Sequence, residues 1–179
     1  MAAPYAIRIV GDPVLRQRAN EVTDIDGKLV RLVEDMIPTM YDAAGLGLAA
    51  PQVGVQKRIF VYDLRDDRGP QVIVNPAVSE HRGEWVYEEG CLSVPGLSWE
   101  ITRPKEVHLT GVDLDGNDVS FEADELLARL FQHELDHLEG ILLIDRLDED
   151  QRKEAKKAVR ELQLQAGAPE QRGLRLPGR

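Results

Sequence analysis

Between Gln132 and Leu143 the chain reads QHELDHLEGILL, which sets His133 and His137 four residues apart with Glu134 between them. On a helix this spacing turns both imidazoles the same way. Two histidines one turn apart can hold a single cation without straining the backbone, and the intervening glutamate can then reach a metal-bound water rather than the metal. The bland alternative is a pair of hydrogen-bonded core histidines. A catalytic site of the metal-binding kind wants three protein ligands and one position left open, so a third ligand has to be found elsewhere.

Several positions compete for that place. Gly140 stands where the metzincin class of zinc peptidases keeps a glycine, but Leu143 occupies the position of its third histidine, and no histidine follows His137. A thermolysin-like site would use a glutamate some twenty residues downstream, a distance flanked by Glu154 and Glu161. Upstream, EEGCLSVPG (Glu88 to Gly96) holds the only cysteine, Cys91. No internal disulfide is possible, so that thiol is buried, redox-active or metal-bound. A polar, Gly-bounded segment at a strand end is a poor place for an inert core thiol, and the waiting histidine pair favours Cys91 as the third ligand. A further stretch, GLGLAAPQVG (Gly45 to Gly54), joins small residues that let another backbone approach with one amide side chain, Gln52. Alone it would read as tight packing.

Taken together and in this order, GLGLAAPQVG, EEGCLS and QHELDH closely resemble the three signature motifs of the peptide deformylases. The resemblance extends to GDPVLR near the start and to the strand pattern between the motifs, covering about Ile7 to Leu164. It implies that Cys91, His133 and His137 bind one divalent metal ion, iron(II) foremost, with zinc, nickel and cobalt also suited to sulfur and imidazole donors. Glu134 would be the general acid/base, and Gln52 with the Leu92 N–H would hold the oxyanion. The implied reaction removes the N-formyl group from newly made polypeptides that begin with formylmethionine, releasing formate. A divalent metal lowers the pKa of its water toward ~7 and so supplies a hydroxide nucleophile; each well-placed oxyanion donor contributes about 3–4 kcal/mol. The formylated peptide would lie extended, as an added strand, along backbone near Leu46, Gly47 and Gly90. Its methionine side chain would enter an apolar pocket near Tyr87, Leu126 and Leu130, a segment on which Arg129 intrudes. His81 and His108 read as ordinary structural histidines, and Asp136 and Glu139 as a solvated or supporting face rather than ligands.

The elements that must position these residues follow from periodicity. Leu29, Leu32, Val33, Met36 and Met40 recur at helical spacing and predict a helix from about Asp26 to Tyr41. Pro38 lies inside it and removes the N–H that would bond the Glu34 carbonyl, so the last turn is expected to kink or end early. The segments KRIFVYD (57–63), QVIVNP (71–76), EWVYEE (84–89), EVHLTGVDL (106–114) and DVSFEA (118–123) read as strands. Most connections are too short for crossover helices, so the sheets should be largely antiparallel. Leu126, Leu127, Leu130, Phe131, Glu134 and Leu138 mark the histidine-bearing helix, with Asp124 as its expected N-cap and Gly140 as the residue just past its end. A charged helix is expected from about Glu149 to Leu164. The fold class is therefore α+β: largely antiparallel sheets around a central metal-binding helix, with an N-terminal and a C-terminal helix.

The 179 residues fit one catalytic domain, 1–165, followed by a flexible tail, 166–179. Charged residues at 30% and hydrophobic ones at 42% match a soluble globular protein rather than a disordered one. The longest stretch without a polar side chain, Ala43 to Pro51, is far short of the ~20 residues that cross a bilayer. The opening MAAPYAIRIVGDP does not read as a secretory signal, so a cytoplasmic location is expected, without a membrane partner. Residues 1–150 carry a net charge of -15 and residues 151–179 a net +5. That acidic body disfavours DNA, and no nucleotide cofactor is suggested. The basic C-terminal helix is the one segment that could touch ribosomal RNA, which the family resemblance makes a candidate partner. The rivals are a zinc endopeptidase, using Glu154 or Glu161 as third ligand, and a noncatalytic metal-binding protein.

Overall fold

The computed structural model describes residues 3–167. Seven strands and three helices follow the α+β plan: α1 (Gly27–Asp42), β1 (Gly47–Ala49), β2 (Ile59–Tyr62), β3 (Gln71–Arg82), β4 (Trp85–Gly90), β5 (Ser98–Arg103), β6 (Glu106–Val112), β7 (Asp118–Asp124), α2 (Glu125–Leu138) and α3 (Glu149–Gly167). Every ladder between these strands is antiparallel. Five of them form one sheet in the order β1-β2-β3-β6-β7, while β4 and β5 make a separate hairpin.

The run IFVY of β2 is apolar at every position because both faces of its sheet are covered. Phe60 and Tyr62 point into a cluster with Ile73, Leu109 and Phe131, which includes α2 residues. Ile59 and Val61, one step out of phase, join Leu29, Val33, Met36 and Met40 of α1. Helix α2 therefore sits on one face and α1 on the other. Phe131 is fully buried, and such a side chain contributes about 1.5–3 kcal/mol. It anchors the histidine-bearing helix from the middle.

Helix α1 begins where its sequence indicates: the Asp26 carboxylate accepts the N–H groups of Lys28 and Leu29. Pro38 does not end it early, since four more residues follow. Glu34 and Pro38 both lie on the exposed side, so solvent can satisfy the carbonyl that proline leaves without a donor. Strand β3 runs six residues past the expected end at Pro76, because a register shift between Val74 and Ala77 takes the proline out of the regular ladder. His81 lies within that extension, on the exposed part of β3. Strands β1 and β5 are additional to the expected set.

Helix α2 begins and ends at the predicted residues, with Asp124 in the N-cap position. Asp124 makes no side-chain capping bond; the Glu125 N–H instead bonds the Lys105 carbonyl at 2.8 Å. At the other end Gly140 takes φ +74°, and Ile141 and Gly140 donate to the carbonyls of Asp136 and His137. A Cβ there would meet the Arg16 carbonyl oxygen at 2.7 Å, so glycine is needed for both the conformation and the close approach. The predicted C-terminal helix runs slightly further than Leu164, to Gly167, and the rest of the expected tail lies outside the described residues.

Candidate metal centre

The last two turns of α2 and the end of β4 meet at one point. Cys91 Sγ lies 3.2 Å from His137 Nε2, which lies 3.2 Å from His133 Nε2. The donor atoms of Cys91, His133 and His137 all fall within 4.8 Å of one another, the only such group among the described residues. Ligand nitrogens ~2.0–2.1 Å from a tetrahedral ion stand about 3.3 Å apart, so the spacing of the imidazoles suits one ion. The donor set fits too. Burial pushes the Cys91 thiol up, but the charges and hydrogen bonds of His137 and His133 outweigh it and hold the thiol well below its ordinary range. That favours thiolate, the form in which cysteine ligates. Sequence reading left Glu154 and Glu161 as alternatives; both are exposed on α3 and neither joins the cluster.

Behind the ligands lies a buried ionic network. Glu89 Oε1 sits 2.5 Å from His133 Nδ1. The same carboxylate accepts from Arg103 (2.9 and 2.7 Å) and from Arg129 Nη1 (2.7 Å). Burial opposes charge on Glu89, yet the hydrogen bonds from His133 and Arg103 hold its carboxyl far below the usual range. Arg103 continues to Asp136 at 2.9 Å, and Asp136 in turn pairs with Arg146. Asp136 thus belongs to the supporting side of the expected solvated or supporting face, and it is buried. Glu139 pairs with Arg58 and Arg18. His108 bonds Glu122 and Ser120 across β6 and β7, remote from the cluster in its strand ladder.

Glu134 points the other way, against β1. Its carboxylate is buried, Oε2 has no hydrogen-bond partner, and burial pushes its pKa up to about 7. A Cβ on Gly47 would collide with this carboxylate, which explains the glycine at that position. Gln52 is held by a tight turn, Ala50–Val53: its Oε1 accepts the Ala49 N–H at 2.9 Å, while its Nε2 lies 3.1 Å from Ser93 Oγ and 3.8 Å from Cys91 Sγ. One amide hydrogen is therefore directed at the cluster.

A cleft of about 690 Å³ opens onto these groups. Leu46, Gly47, Gly90, Tyr87, Leu126 and Leu130 line it, as do Gln52, Leu92, Cys91, His133 and Glu134. His137 lies behind them, almost fully buried. All the site residues expected from sequence thus converge on one place. Glu89, Arg103 and Arg129 were given no role by sequence. The signal available for Glu89 was its place in the cysteine motif, but the arginine partners come from β5 and α2, and their pairing is a matter of three-dimensional packing.

The family model described as polypeptide deformylase matches residues 4–153. The chain belongs to this family. Peptide deformylase of Acidothermus cellulolyticus is 50% identical over 155 residues, covering 87% of this chain and 85% of that protein; the Clostridium botulinum peptide deformylase is 51% identical over 140 residues, covering 78% and 94%. Among solved structures, a Legionella pneumophila peptide deformylase superposes with a TM-score of 0.85 at 40% identity, covering 92% of this chain and 99% of that one. A Synechococcus elongatus peptide deformylase in complex with actinonin gives the same TM-score and identity, covering 94% of both chains. Members of the deformylase family are enzymes that remove N-formyl groups from nascent peptides. Among the described residues of this deformylase family member, no helix is long and apolar enough to cross a membrane.

Proposed function

We propose that this chain removes the formyl group from the N-terminal formylmethionine of newly synthesised polypeptides in the cytoplasm, with Cys91, His133 and His137 holding one divalent ion. The observation that carries this reading is the convergence of one sulfur and two imidazole nitrogens beside a buried carboxylate with a free oxygen, with Cys91, His133 and Glu134 at the wall of one cleft and His137 behind them. The ion is proposed to be iron(II); zinc, nickel and cobalt share the donor preferences. When bound, it supplies Lewis acidity that turns water into a nucleophile at neutral pH.

The chain's own groups supply the rest. Glu134, with a pKa pushed up to about 7 by burial, is poised to take a proton near neutral pH and return it to the departing amine nitrogen. The Gln52 amide, fixed by Ala49 and Ser93, and the Leu92 N–H would donate to the oxygen on which charge develops. The peptide lies extended along backbone near Leu46, Gly47 and Gly90, and its first side chain enters beside Tyr87, Leu126 and Leu130. Formate release from a formyl-Met peptide tests the reading: it should be lost in Glu134→Ala while metal content is kept. A wild-type protein that binds metal but releases no formate would leave the noncatalytic alternative standing.

The partner beyond the peptide is proposed to be the ribosome, through α3. Its Lys153, Lys156, Lys157 and Arg160 are exposed, while Ala155 and Val159 seat the helix on the body. Cosedimentation with ribosomes across a salt series should weaken for a Lys156→Glu, Lys157→Glu variant; equal binding would reject the contact.

A further inference from the structure

Among the described residues, Arg129 is the one strongly basic side chain lining the cleft, and it is buried. Its Nη1 donates to Glu89 Oε2 at 2.7 Å and its Nη2 to the Trp85 carbonyl at 2.6 Å. Its Cζ lies 5.2 Å from the centre of the Trp85 ring and 5.8 Å from that of Tyr87, and these rings stack on each other at 4.6 Å. Trp85, Tyr87 and Glu89 alternate along β4 and share one face. A single guanidinium thus touches three successive residues on that face. A buried ion pair is often no more stabilising than apolar side chains of the same volume, so its hydrogen bonds point to a role besides stability. Here they tie β4, whose hairpin joins no larger sheet, to the helix that carries both histidines.

Given the deformylase reading above, we propose that Arg129 is a specificity-determining positioning residue. It holds Tyr87, on which Trp85 stacks, and Glu89 at a fixed distance from α2, and so sets the width of the pocket for the first side chain of the formylated peptide. Arg129 precedes His133 by one turn, which measures the wall from the same rigid element that presents the imidazole. A slot of fixed width accepts the thin, unbranched methionine side chain and rejects a broader ring.

The test compares kcat and KM for two peptides that differ only in formyl-Met or formyl-Phe at the first position. Enzymes are wild type, Arg129→Leu and Arg129→Lys, each checked for metal content and circular dichroism. Lysine keeps the charge but lacks the planar fork that spans Glu89 and the Trp85 carbonyl. Either folded variant should lose about tenfold in the preference for formyl-Met over formyl-Phe, through a raised KM for formyl-Met and a lowered KM for formyl-Phe. A purely structural role would lower both peptides equally; an unchanged ratio in an active variant overturns the proposal alone. A wild-type enzyme inert toward both peptides overturns the deformylase reading and this proposal with it.

Discussion

Glu89 Oε1 lies 2.5 Å from Nδ1 of His133, so the imidazole whose Nε2 faces the metal centre is held from behind by a carboxylate that also pairs with Arg103 and Arg129. This contact fixes the ring's orientation and assigns the outward nitrogen its role. Replacing Glu89 with Gln keeps the shape and removes the charge. Metal affinity should then fall by about 10–100-fold, and the fold should lose about 3–5 kcal/mol because the buried Arg129 guanidinium loses its carboxylate partner while Arg103 keeps only Asp136. Competition with a chromogenic chelator measures the first effect, and urea unfolding measures the second.

Cys91→Ala should abolish stoichiometric metal binding, whereas Glu154→Ala and Glu161→Ala should leave it intact. Metal content per chain after gel filtration decides this. A chain that keeps its metal without the thiol would return the third ligand to the acidic candidates.

Gly47→Ala places a methyl group against the Glu134 carboxylate. The backbone can accept alanine there, since Gly47 has no positive φ, so the variant should fold with a melting temperature close to wild type. Displacing the carboxylate by a fraction of its reach should cost about a hundredfold in kcat. Equal turnover in the variant would remove Glu134 from the reaction.

The rim of the cleft is tied down by Tyr41, whose hydroxyl donates to Asp63 Oδ2 at 2.6 Å, while the Asp63 N–H bonds the Leu46 carbonyl. The Tyr41 hydrogen bond, with help from the Arg65 N–H, holds the Asp63 carboxyl below the usual range, and the same bond raises the Tyr41 hydroxyl above its own. The depressed acid gives stability that is present above the ordinary aspartate pKa of ~3.9 and is lost as pH falls through its folded value. The raised tyrosine gives stability that is present below ~10 and is lost as pH climbs through its folded value. Urea midpoints across this range should therefore fall less at either extreme for Tyr41→Phe than for wild type. Parallel profiles would show that the bond does not form in solution.

The ligand set and the helix that carries two of its members were legible because they rest on local spacing: His133 and His137 at four residues, Phe131 and Leu138 on the buried stripe, Gly140 at the stop. The early end expected at Pro38 does not occur, because the proline lies on the exposed side of α1, away from the apolar stripe, where water can satisfy the carbonyl it leaves. Strand β1 was hidden in a Gly- and Ala-rich run whose three residues carry almost no strand propensity; its pairing with β2 supplies what the residues lack. Asp124 holds the expected N-cap position of α2 without a side-chain capping bond, and the Glu125 N–H is taken up by the Lys105 carbonyl, a tertiary contact that local sequence does not show. Above all, the Glu89–Arg103–Asp136–Arg146 network joins residues from four parts of the chain, and charges of ordinary appearance gave no hint that they meet in the interior.

The β4–β5 hairpin shares no backbone ladder with the five-stranded sheet, yet it delivers the sulfur, and the nitrogen it must meet on His137 is 46 residues further along the chain. An ion gripped by both is therefore a crosslink between two pieces that sequence keeps far apart. Capture of that ion by all three ligands cannot precede docking of the hairpin, so arrival of the sulfur ligand during refolding marks the completion of the site rather than its beginning.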